Sequence, residues 1–501
     1  MRRIPLRTFR PPSQVPPSWL SIPVRSRTPR LPCLLSIRPR NRRNFSSTPP
    51  RREILDLSSL PNRIVPKYEE KPNTHLLTLQ WPQPPRNVLL IPKQRAPQVT
   101  LSAIAFAKYL YNSYPGLNLV FEPQIAQEIH ESLPFPIYTA YGTTTVLPSK
   151  VDIVTTLGGD GTILRAASLF SLEESVPPIL SFSMGTLGFL GEWKFEEYKR
   201  AWREVYMSGS GVPVEDLQGP HTRIAAAGKT PAGEEKPRIT RSVDDQPSGW
   251  DLARGQSLGM QRGSKMLLRH RLKVGLYDSS GANLNHELMP TSLSDPDQDL
   301  LPDINDVRAD PVHQTPQTPE SIHAINELLI HRGPEPHLVI MDIYLNNHFL
   351  TELVADGIIV SSPTGSTAYS LSAGGCIVHP LVKSMLITPI CPRSLSFRPL
   401  IIPSNTKVVL KLSKKNRGRA LEVSVDGKRR ANVSIGREIR VEGEETIAEA
   451  DGGWRGGVPC VIRVPSLGDS ERAGDDDDGW VGGLNGLLKF NYPFGETPTG
   501  A

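Results

Sequence analysis

The stretch Val151-Asp152-Ile153-Val154-Thr155-Thr156-Leu157-Gly158-Gly159-Asp160-Gly161-Thr162 places a glycine-rich turn directly after a run of apolar and β-branched residues. The run predicts a buried strand, and a helix is expected to begin near Thr162. Similar apolar runs occur at 88–91, 117–121 and 179–182, and a helical pattern spans Leu101 to Tyr114. This alternation is typical of a parallel sheet covered by helices, so residues 86–208 are predicted to form a Rossmann-like α/β domain.

The turn contains three glycines, Gly158, Gly159 and Gly161, around the carboxylate of Asp160. Glycines let a backbone approach phosphate oxygens closely, and the amides at a helix start attract anions. Asp160 would then lie beside a phosphate and could accept the proton of an attacking hydroxyl. The alternative is a plain strand-to-helix turn with Asp160 as the helix cap. The turn alone supports both interpretations equally.

A second candidate loop begins at Asp356-Gly357, follows a short apolar strand and continues as Ser361-Ser362-Pro363-Thr364-Gly365-Ser366-Thr367-Ala368-Tyr369-Ser370-Leu371-Ser372. Its hydroxyl groups can hydrogen-bond a ribose or an amide, while Tyr369 can pack on a base. A flexible linker rich in Ser and Gly is the alternative. The apolar residues on both sides of the loop favour an ordered structure instead.

A third element is the run Ala324-Ile325-Asn326-Glu327-Leu328-Leu329-Ile330, where an amide and a carboxylate stand side by side among apolar residues. Buried polar groups need partners, and ribose hydroxyls would satisfy both Asn326 and Glu327. A polar pair on the surface of a helix is the alternative. For this run taken alone, that alternative is the stronger one.

Residues 263–463 change to short runs rich in Val, Ile and Leu, with little helical pattern. Examples are 272–277, 338–345, 357–360, 407–412 and 421–425. The last run is followed by Asp426-Gly427, which predicts a hairpin turn. A mostly β, sandwich-like second domain is therefore expected.

The remaining segments have compositions that are unfavourable for a core. Residues 46–85 are interpreted as a linker, 209–262 as a disordered insertion, 290–319 as a second insertion within the β-rich domain, 464–479 as an acidic linker, and 480–501 as a C-terminal segment that packs back on the core. The first insertion is rich in Gly, Pro and charged residues and the second in Pro and Asp. Such segments bury too little apolar area to offset about 1–2 kcal/mol of backbone ordering per residue.

The formal net charge of +6 comes from the N-terminus, because residues 1–45 contain eleven arginines and no Lys, Asp or Glu. Without them the chain is acidic, at −5, so a nucleic-acid partner is not expected. An N-terminus rich in Arg and Ser and free of acids is typical of a mitochondrial transit peptide, with the mature chain beginning near Ser46. An uncleaved basic tail is the alternative.

The other bulk features argue against two further classes of protein. No stretch reaches the ~18 apolar residues that a membrane-spanning helix requires, so no membrane partner is expected. The four cysteines, Cys33, Cys376, Cys391 and Cys460, show neither metal-type spacing nor a disulfide framework, and no protein metal site is predicted.

Together and in this order, the three elements resemble the NAD kinase family. The resemblance extends to Met184-Gly185-Thr186-Leu187-Gly188-Phe189-Leu190-Gly191, to Cys391-Pro392-Arg393-Ser394-Leu395-Ser396-Phe397-Arg398-Pro399 and to Trp480-Val481-Gly482-Gly483-Leu484-Asn485-Gly486. It covers about residues 86–208, 263–286, 321–463 and the end of the chain. The transit-like N-terminus and Arg393, where many members have histidine, make the chain most similar to the mitochondrial NADH kinases of fungi.

The resemblance implies that the second domain binds a dinucleotide and that the γ-phosphoryl group of ATP passes to the 2′-hydroxyl of the adenosine ribose. Asp160 would be the general base, with Gly161 beside it. Asn326 and Glu327 would contact the nicotinamide ribose, and Asp356 the nicotinamide end. The adenine and its ribose would be lined by Thr364, Thr367, Ala368, Tyr369, Ser370, Leu371 and Ser372. Mg²⁺ would come with ATP, held largely by phosphates.

The family also implies a homo-oligomer, and the transit-like N-terminus implies the mitochondrial matrix. Two other functions remain open at this point: a catalytically silent sensor that binds NAD(H), and a lipid kinase that shares only the glycine-rich turn. Retention of Asp160 argues against the sensor, and the second loop argues against the lipid kinase.

Overall fold

The structure is a computed structural model of the 501-residue chain. It describes residues 53–463, apart from 71–73, 141–145, 186–187, 192, 210–262, 289–318, 419, 431 and 451, together with Trp480 and Leu484. The segments predicted as transit peptide (1–45) and acidic linker (464–479) lie outside the described residues, as do nearly all of the two insertions, 209–262 and 290–319.

The first half of the described chain alternates strands with helices. Its strands are β1 (Ile54–Asp56), β2 (Lys67–Glu70), β3 (Leu77–Gln80), β4 (Asn87–Pro92), β5 (Asn118–Phe121), β6 (Ile137–Thr139), β7 (Ile153–Gly158), β8 (Ile179–Ser183) and β9 (Trp193–Lys194). Its helices are α1 (Pro97–Ser113), α2 (Pro123–Ile129), α3 (Leu147–Lys150), α4 (Asp160–Ser168) and α5 (Tyr198–Tyr206).

The second half is almost entirely β. Its strands are β10 (Lys265–Arg269), β11 (Leu272–Tyr277), β12 (Ile322–Ala324), β13 (Glu327–His331), β14 (Val339–Leu345), β15 (His348–Ala355), β16 (Gly357–Ser361), β17 (Ser384–Ile390), β18 (Leu400–Pro403), β19 (Val408–Leu412), β20 (Ala420–Val425), β21 (Lys428–Arg429), β22 (Val433–Ser434), β23 (Glu438–Gly443), β24 (Ile447–Ala448), β25 (Trp454–Arg455) and β26 (Val458–Val461). The short helix α6 spans Tyr369–Ser372.

The first sheet runs β1-β6-β5-β4-β7-β8-β26-β10-β3-β2, with β9 beside β8. All pairs from β1 to β26 are parallel, whereas β26, β10, β3 and β2 pair antiparallel. The central strands β4, β7 and β8 are buried along their whole length, as a sheet with covered faces requires. The predicted Rossmann-like α/β domain is confirmed.

Two antiparallel sheets form the second domain, in the orders β12-β11-β23-β19-β14-β15 and β18-β17-β16-β13-β20-β21. Their apolar faces share one core, which includes Val274, Leu328 and Val360. Asp426 and Gly427 both have positive φ, 51° and 73°, between paired Val425 and Lys428, so the predicted two-residue hairpin is present. The sandwich-like fold is confirmed.

Two predicted boundaries are wrong. Part of the segment 46–85, interpreted as a linker, forms β1, β2 and β3 of the first sheet. These are short strands near the sheet margins, and β2 exposes three of its four residues, so their apolar pattern is weak. Strands β10 and β26 also belong to the first sheet rather than to the β-rich domain 263–463. In both, the sheet to which a strand belongs depends on its backbone hydrogen-bond partners, and amino-acid composition does not predict those partners.

A buried ion pair joins the two domains behind α4. Arg271 donates to both carboxylate oxygens of Glu444 at 2.7 and 2.6 Å and to the carbonyls of Phe170 and Glu173, just after α4. Although burial opposes ionisation, the Arg271 guanidinium lowers the pKa of Glu444. The last turn of α4 is therefore fixed to the β-rich domain. In the described part of the chain, no helix is long and apolar enough to cross a membrane.

Candidate active site

The glycine-rich turn joins β7 to α4. Gly158 is the last residue of β7, Gly159 is the helix cap, and Asp160 is the first residue of α4, slightly before the predicted start near Thr162. Asp160 is therefore not the cap, and the interpretation of the turn as a simple aspartate-capped helix start is wrong. Its carboxylate turns away from the helix amides toward the loop that follows β8.

The Asp160 carboxylate is held by two backbone amides of that loop. Phe189 N–H donates to Oδ2 at 3.0 Å and Leu190 N–H donates to Oδ1 at 3.1 Å. A Cβ added to Gly188 would lie 2.1 Å from Asp160 Oδ1, so only glycine permits this approach. Each carboxylate oxygen keeps a lone pair for a further donor, such as a substrate hydroxyl.

Space remains open on the other side of the turn. A Cβ added to Gly159 or to Gly161 would meet no atom within 4 Å, and both residues are exposed. Backbone amides at the start of α4 are thus accessible beside a fixed carboxylate. This arrangement suits a phosphate group next to the hydroxyl that it reacts with.

Asn326 and Glu327 lie at the start of β13, not on a helix, so the helix-surface alternative is wrong. Both side chains are buried, at 6% and 8% exposed. Their backbone is held by Asp426, whose carboxylate accepts hydrogen bonds from the amides of Ile325, Asn326 and Glu327 at 2.9, 2.7 and 3.2 Å. The hairpin turn of β20 and β21 therefore fixes this polar pair.

The second loop begins against the same pair. Ser362 donates its amide to Asn326 O at 2.9 Å and its hydroxyl to Ile325 O at 2.5 Å. A Cβ on Gly365 would lie 2.2 Å from Asn326 O, so the loop contacts the pair as closely as a backbone can. The structure thus places the start of the second loop, through Ser362 and Gly365, against the backbone of Ile325 and Asn326.

Several polar atoms around this contact are buried and lack a hydrogen-bond partner within the described residues. They are Asn326 Oδ1, Glu327 Oε2, Ser361 Oγ and Thr364 Oγ1. Unsatisfied buried polar atoms are costly and rare, and a cluster of them indicates a place where a polar ligand supplies the missing partners. Hydroxyl groups, which both donate and accept, fit a set that contains amide, carboxylate and hydroxyl oxygens.

Glu327 has an unusual ionisation behaviour in this setting. Burial, with a smaller contribution from the nearby Asp426 charge, raises the pKa of Glu327 to about 7. The carboxyl group therefore exchanges its proton near neutral pH, and a ligand that donates a hydrogen bond to it would favour the charged form.

The rest of the second loop is divided between core and surface. Residues Thr364–Thr367 form a 3-10 turn, followed by α6. Ser370 faces the core, with its Oγ 2.8 Å from Thr388 Oγ1, whereas Tyr369 is 41% exposed and Ser372 is exposed. Thr367, Ala368 and Leu371 are half-buried between them. Tyr369 is thus available to pack on a ligand, and Ser370 supports the turn.

Sequence models of two domains match this chain: the ATP-NAD kinase N-terminal domain over residues 88–210 and the ATP-NAD kinase C-terminal domain over 325–448. The chain is 33% identical to the mitochondrial NADH kinase of Schizosaccharomyces pombe, over 87% of this chain and 85% of that protein. The mitochondrial NADH kinase of Saccharomyces cerevisiae is 30% identical, over 88% and 89%. The chain belongs to the NAD kinase family.

The crystal structure of yeast NADH kinase complexed with NADH superposes with a TM-score of 0.64 at 29% identity and covers 90% of this chain and 100% of that one. The match includes both the α/β and the sandwich domain. A lipid kinase that shares only the glycine-rich turn does not account for the C-terminal match.

One predicted residue of this NAD kinase lies apart from the others. Asp356 precedes Gly357, which pairs with His331, whereas Glu327 pairs with Ser361 at the other end of β13 and β16. Four residues along a strand span about 13 Å. Within one chain, Asp356 is thus distant from the Asn326–Glu327 pair, and its carboxylate contacts Arg332 Nε at 2.7 Å.

Asp426 has a role that its place in the sequence did not predict. The Asp-Gly dipeptide was interpreted only as a hairpin signal, although its carboxylate accepts three consecutive amides of the polar pair. The hairpin turn was a visible signal, but its partner lies about a hundred residues away in the chain. Only the fold connects the two.

Proposed function

We propose that this protein transfers the γ-phosphoryl group of ATP to the 2′-hydroxyl of the adenosine ribose of NADH, NAD or both, producing NADPH or NADP. The observation that carries the proposal is the Asp160 carboxylate, fixed by the Phe189 and Leu190 amides beside the open Gly159–Gly161 turn. A sensor that only binds the dinucleotide has no need of a fixed carboxylate at a phosphate-binding turn.

The chemistry needs a base, a positioned phosphoryl group and a held acceptor. Asp160 accepts the proton of the 2′-hydroxyl as its oxygen forms a bond to the γ-phosphorus, and the bond from that phosphorus to the leaving oxygen of ADP breaks. Gly158, Gly159 and Gly161 let the backbone approach the phosphate. Because Asp160 is already fixed by two amides, little reorganisation is required during the reaction.

The acceptor would be held by the second loop and the polar pair. Asn326 and Glu327 bind ribose hydroxyls with the oxygens that have no hydrogen-bond partner among the described residues. The adenine and its ribose are lined by Thr364, Thr367, Ala368, Tyr369, Ser370, Leu371 and Ser372. Asp356 is assigned to the nicotinamide end. The relative crystallised with NADH supports a dinucleotide as the ligand.

ATP is expected to arrive with Mg²⁺. Among the residues that the structure describes, no group of three or more His, Cys, Asp or Glu side chains could hold a metal ion. Phosphate oxygens would therefore supply most of the ligands, as Mg²⁺ bound to nucleotides usually has them. When bound, the ion would neutralise charge on the transferred group.

We further infer that the protein acts in the mitochondrial matrix as a homo-oligomer, after removal of a transit peptide within residues 1–45. The arginine-rich composition of that segment and the mitochondrial names of the two fungal relatives support the compartment. Fusing residues 1–45 to a fluorescent protein tests the targeting.

The central test is turnover. The chain from Ser46 onward, incubated with Mg-ATP and either NADH or NAD, should form NADPH or NADP, and Asp160→Asn should bind NADH normally but lose at least ~10²-fold in kcat. Binding without product from any nucleotide or polyphosphate donor would establish the sensor instead. Phosphorylation of diacylglycerol or sphingoid bases would establish the lipid kinase.

A further inference from the structure

Three cations converge where the β20–β21 hairpin meets α4. Lys428 Nζ donates to Ser168 Oγ at 2.7 Å, and Arg165, one turn earlier on α4, pairs with Glu122 at 2.8 Å. Arg430 directly follows β21, two residues after Lys428. Desolvation and the neighbouring guanidinium groups of Arg430 and Arg165 lower the pKa of Lys428, so the three charges act on one another.

Arg430 is the unusual member of this cation cluster (Arg165, Lys428, Arg430). It is 7% exposed, and its Nε and Nη1 are buried without any acceptor in the described part of the chain. A buried guanidinium normally has a carboxylate or carbonyl partner, because an unpaired buried charge is strongly unfavourable. Its neighbour Arg429 has the opposite character, since it is exposed and pairs with Glu422 at 2.9 Å.

The nearby carboxylates do not satisfy the cluster. Asp426 acts on Arg430 electrostatically, but its two oxygens already accept the amides of residues 325–327. Glu122 binds Arg165. The cluster thus carries more positive than negative charge and retains unused donors, which together are the requirements of an anion site.

The cluster is close to the proposed reaction site yet separate from the polar pair. Ser168, which Lys428 contacts, lies seven residues after Gly161 on α4, or about 10 Å along the helix axis. Lys428 pairs across the sheet with Val425, which pairs with Leu328, so these three side chains share one face. Glu327 is the neighbour of Leu328 on β13. Since neighbouring residues point to opposite faces of a sheet, Lys428 and Glu327 serve different faces.

We propose that Arg430, with Lys428 and Arg165, forms a phosphate-binding subsite for the polyphosphate of the phosphoryl donor. This assignment rests on the proposed kinase function. The pyrophosphate of the dinucleotide has the same chemistry, but a triphosphate carries more negative charge and suits three cations better. A nucleoside triphosphate is also long enough to reach from the cluster to the start of α4.

Arg430→Met tests the subsite, and Arg429→Met is the matched control because it removes the neighbouring exposed charge. Loss of a charge-assisted hydrogen bond is expected to raise KM for ATP at least about tenfold in Arg430→Met, whereas KM for NADH changes less than about threefold. Arg429→Met should match the unmodified protein in both. Lys428→Met changes an exposed residue and should raise KM for ATP without affecting folding.

Binding of inorganic tripolyphosphate, measured by calorimetry without dinucleotide, provides a readout independent of turnover. Binding should weaken at least about tenfold in Arg430→Met and in Lys428→Met but not in Arg429→Met. Equal binding in all four proteins would overturn the proposal, and so would a higher KM for NADH in place of ATP, which would give the subsite to the dinucleotide. Weakened binding in a protein without kinase activity would sustain the subsite while the proposed function fails.

Discussion

Replacing Glu327 by Gln should stabilise the ligand-free protein at alkaline pH. Burial raises the pKa of Glu327 from its ordinary 4.5 to about 7 in the folded protein. Each unit of pKa shift corresponds to ~1.4 kcal/mol. The raised pKa of Glu327 therefore lowers the free energy of unfolding by about 3 kcal/mol above pH 7. Gln keeps the shape of the side chain and does not ionise, so the variant avoids that cost.

The sign of the effect follows from proton binding. Between pH 4.5 and 7 the folded protein holds a proton on Glu327 that the unfolded chain has released, so the free energy of unfolding falls as pH rises. The variant lacks this fall. Urea unfolding of both proteins at pH 5 and pH 8 should therefore show a variant-minus-wild-type difference that is larger at pH 8 by about 2.5 kcal/mol.

Comparing the two pH values removes any constant cost of the new amide group. A difference that is the same at pH 5 and pH 8 would refute the argument that Glu327 is buried, ionisable and unpartnered. The same variant should bind NADH at least about tenfold more weakly, because a charge-assisted hydrogen bond to a ribose hydroxyl is lost. Gain in stability with loss of binding is the pattern expected of a functional carboxylate.

Three further changes test two supports of the site, Asp426 and Gly365, and His323, whose ring contacts Ser171 O at 2.9 Å beside the buried Arg271–Glu444 pair. Asp426→Ala removes the acceptor of three amides and should lower the free energy of unfolding by about 2–4 kcal/mol in urea titrations. Gly365→Ala brings a Cβ to 2.2 Å from Asn326 O. It should lower the free energy of unfolding by about 1–3 kcal/mol and weaken NADH binding. Gly418→Ala, whose Cβ would have no contact under 3.9 Å, is the control and should change neither measurement. Burial lowers the pKa of His323 to about 4, so the unfolded chain binds a proton before the folded protein does as pH falls below 6.5. The free energy of unfolding therefore falls between pH 7 and pH 4. His323→Gln should remove about 3 kcal/mol of this fall, measured by urea unfolding at the two pH values.

Sequence patterns predicted the parts of this fold in which local chemistry and tertiary structure agree. The run before Gly158 is a strand because it is buried on both faces, and the Asp426-Gly427 turn is a hairpin because both residues tolerate positive φ. Strands β1 to β3 were not predicted, because their own sequence carries little of the pattern that identifies a strand. They gain backbone hydrogen bonds from partners distant in the chain, such as β6 and β10, and need little apolar patterning of their own.

The site divides in the same way. Glycines and hydroxyl residues mark the two loops, because close approach to phosphate and ribose requires those residue types. The groups that hold the site carry no such mark: Asp426 belongs to an ordinary turn, and Arg430 directly follows the short edge strand β21. Their importance shows only in the folded structure. The Asp426 carboxylate already accepts three amides, while Nε and Nη1 of the nearby Arg430 lack an acceptor within the described residues. Folded proteins retain such costs mainly where a ligand removes them. Asn326 and Glu327 have oxygens, and Arg430 has donors, that find no partner in the part of the chain that the structure describes. They therefore point to two halves of one reaction, a hydroxyl acceptor and a phosphate donor.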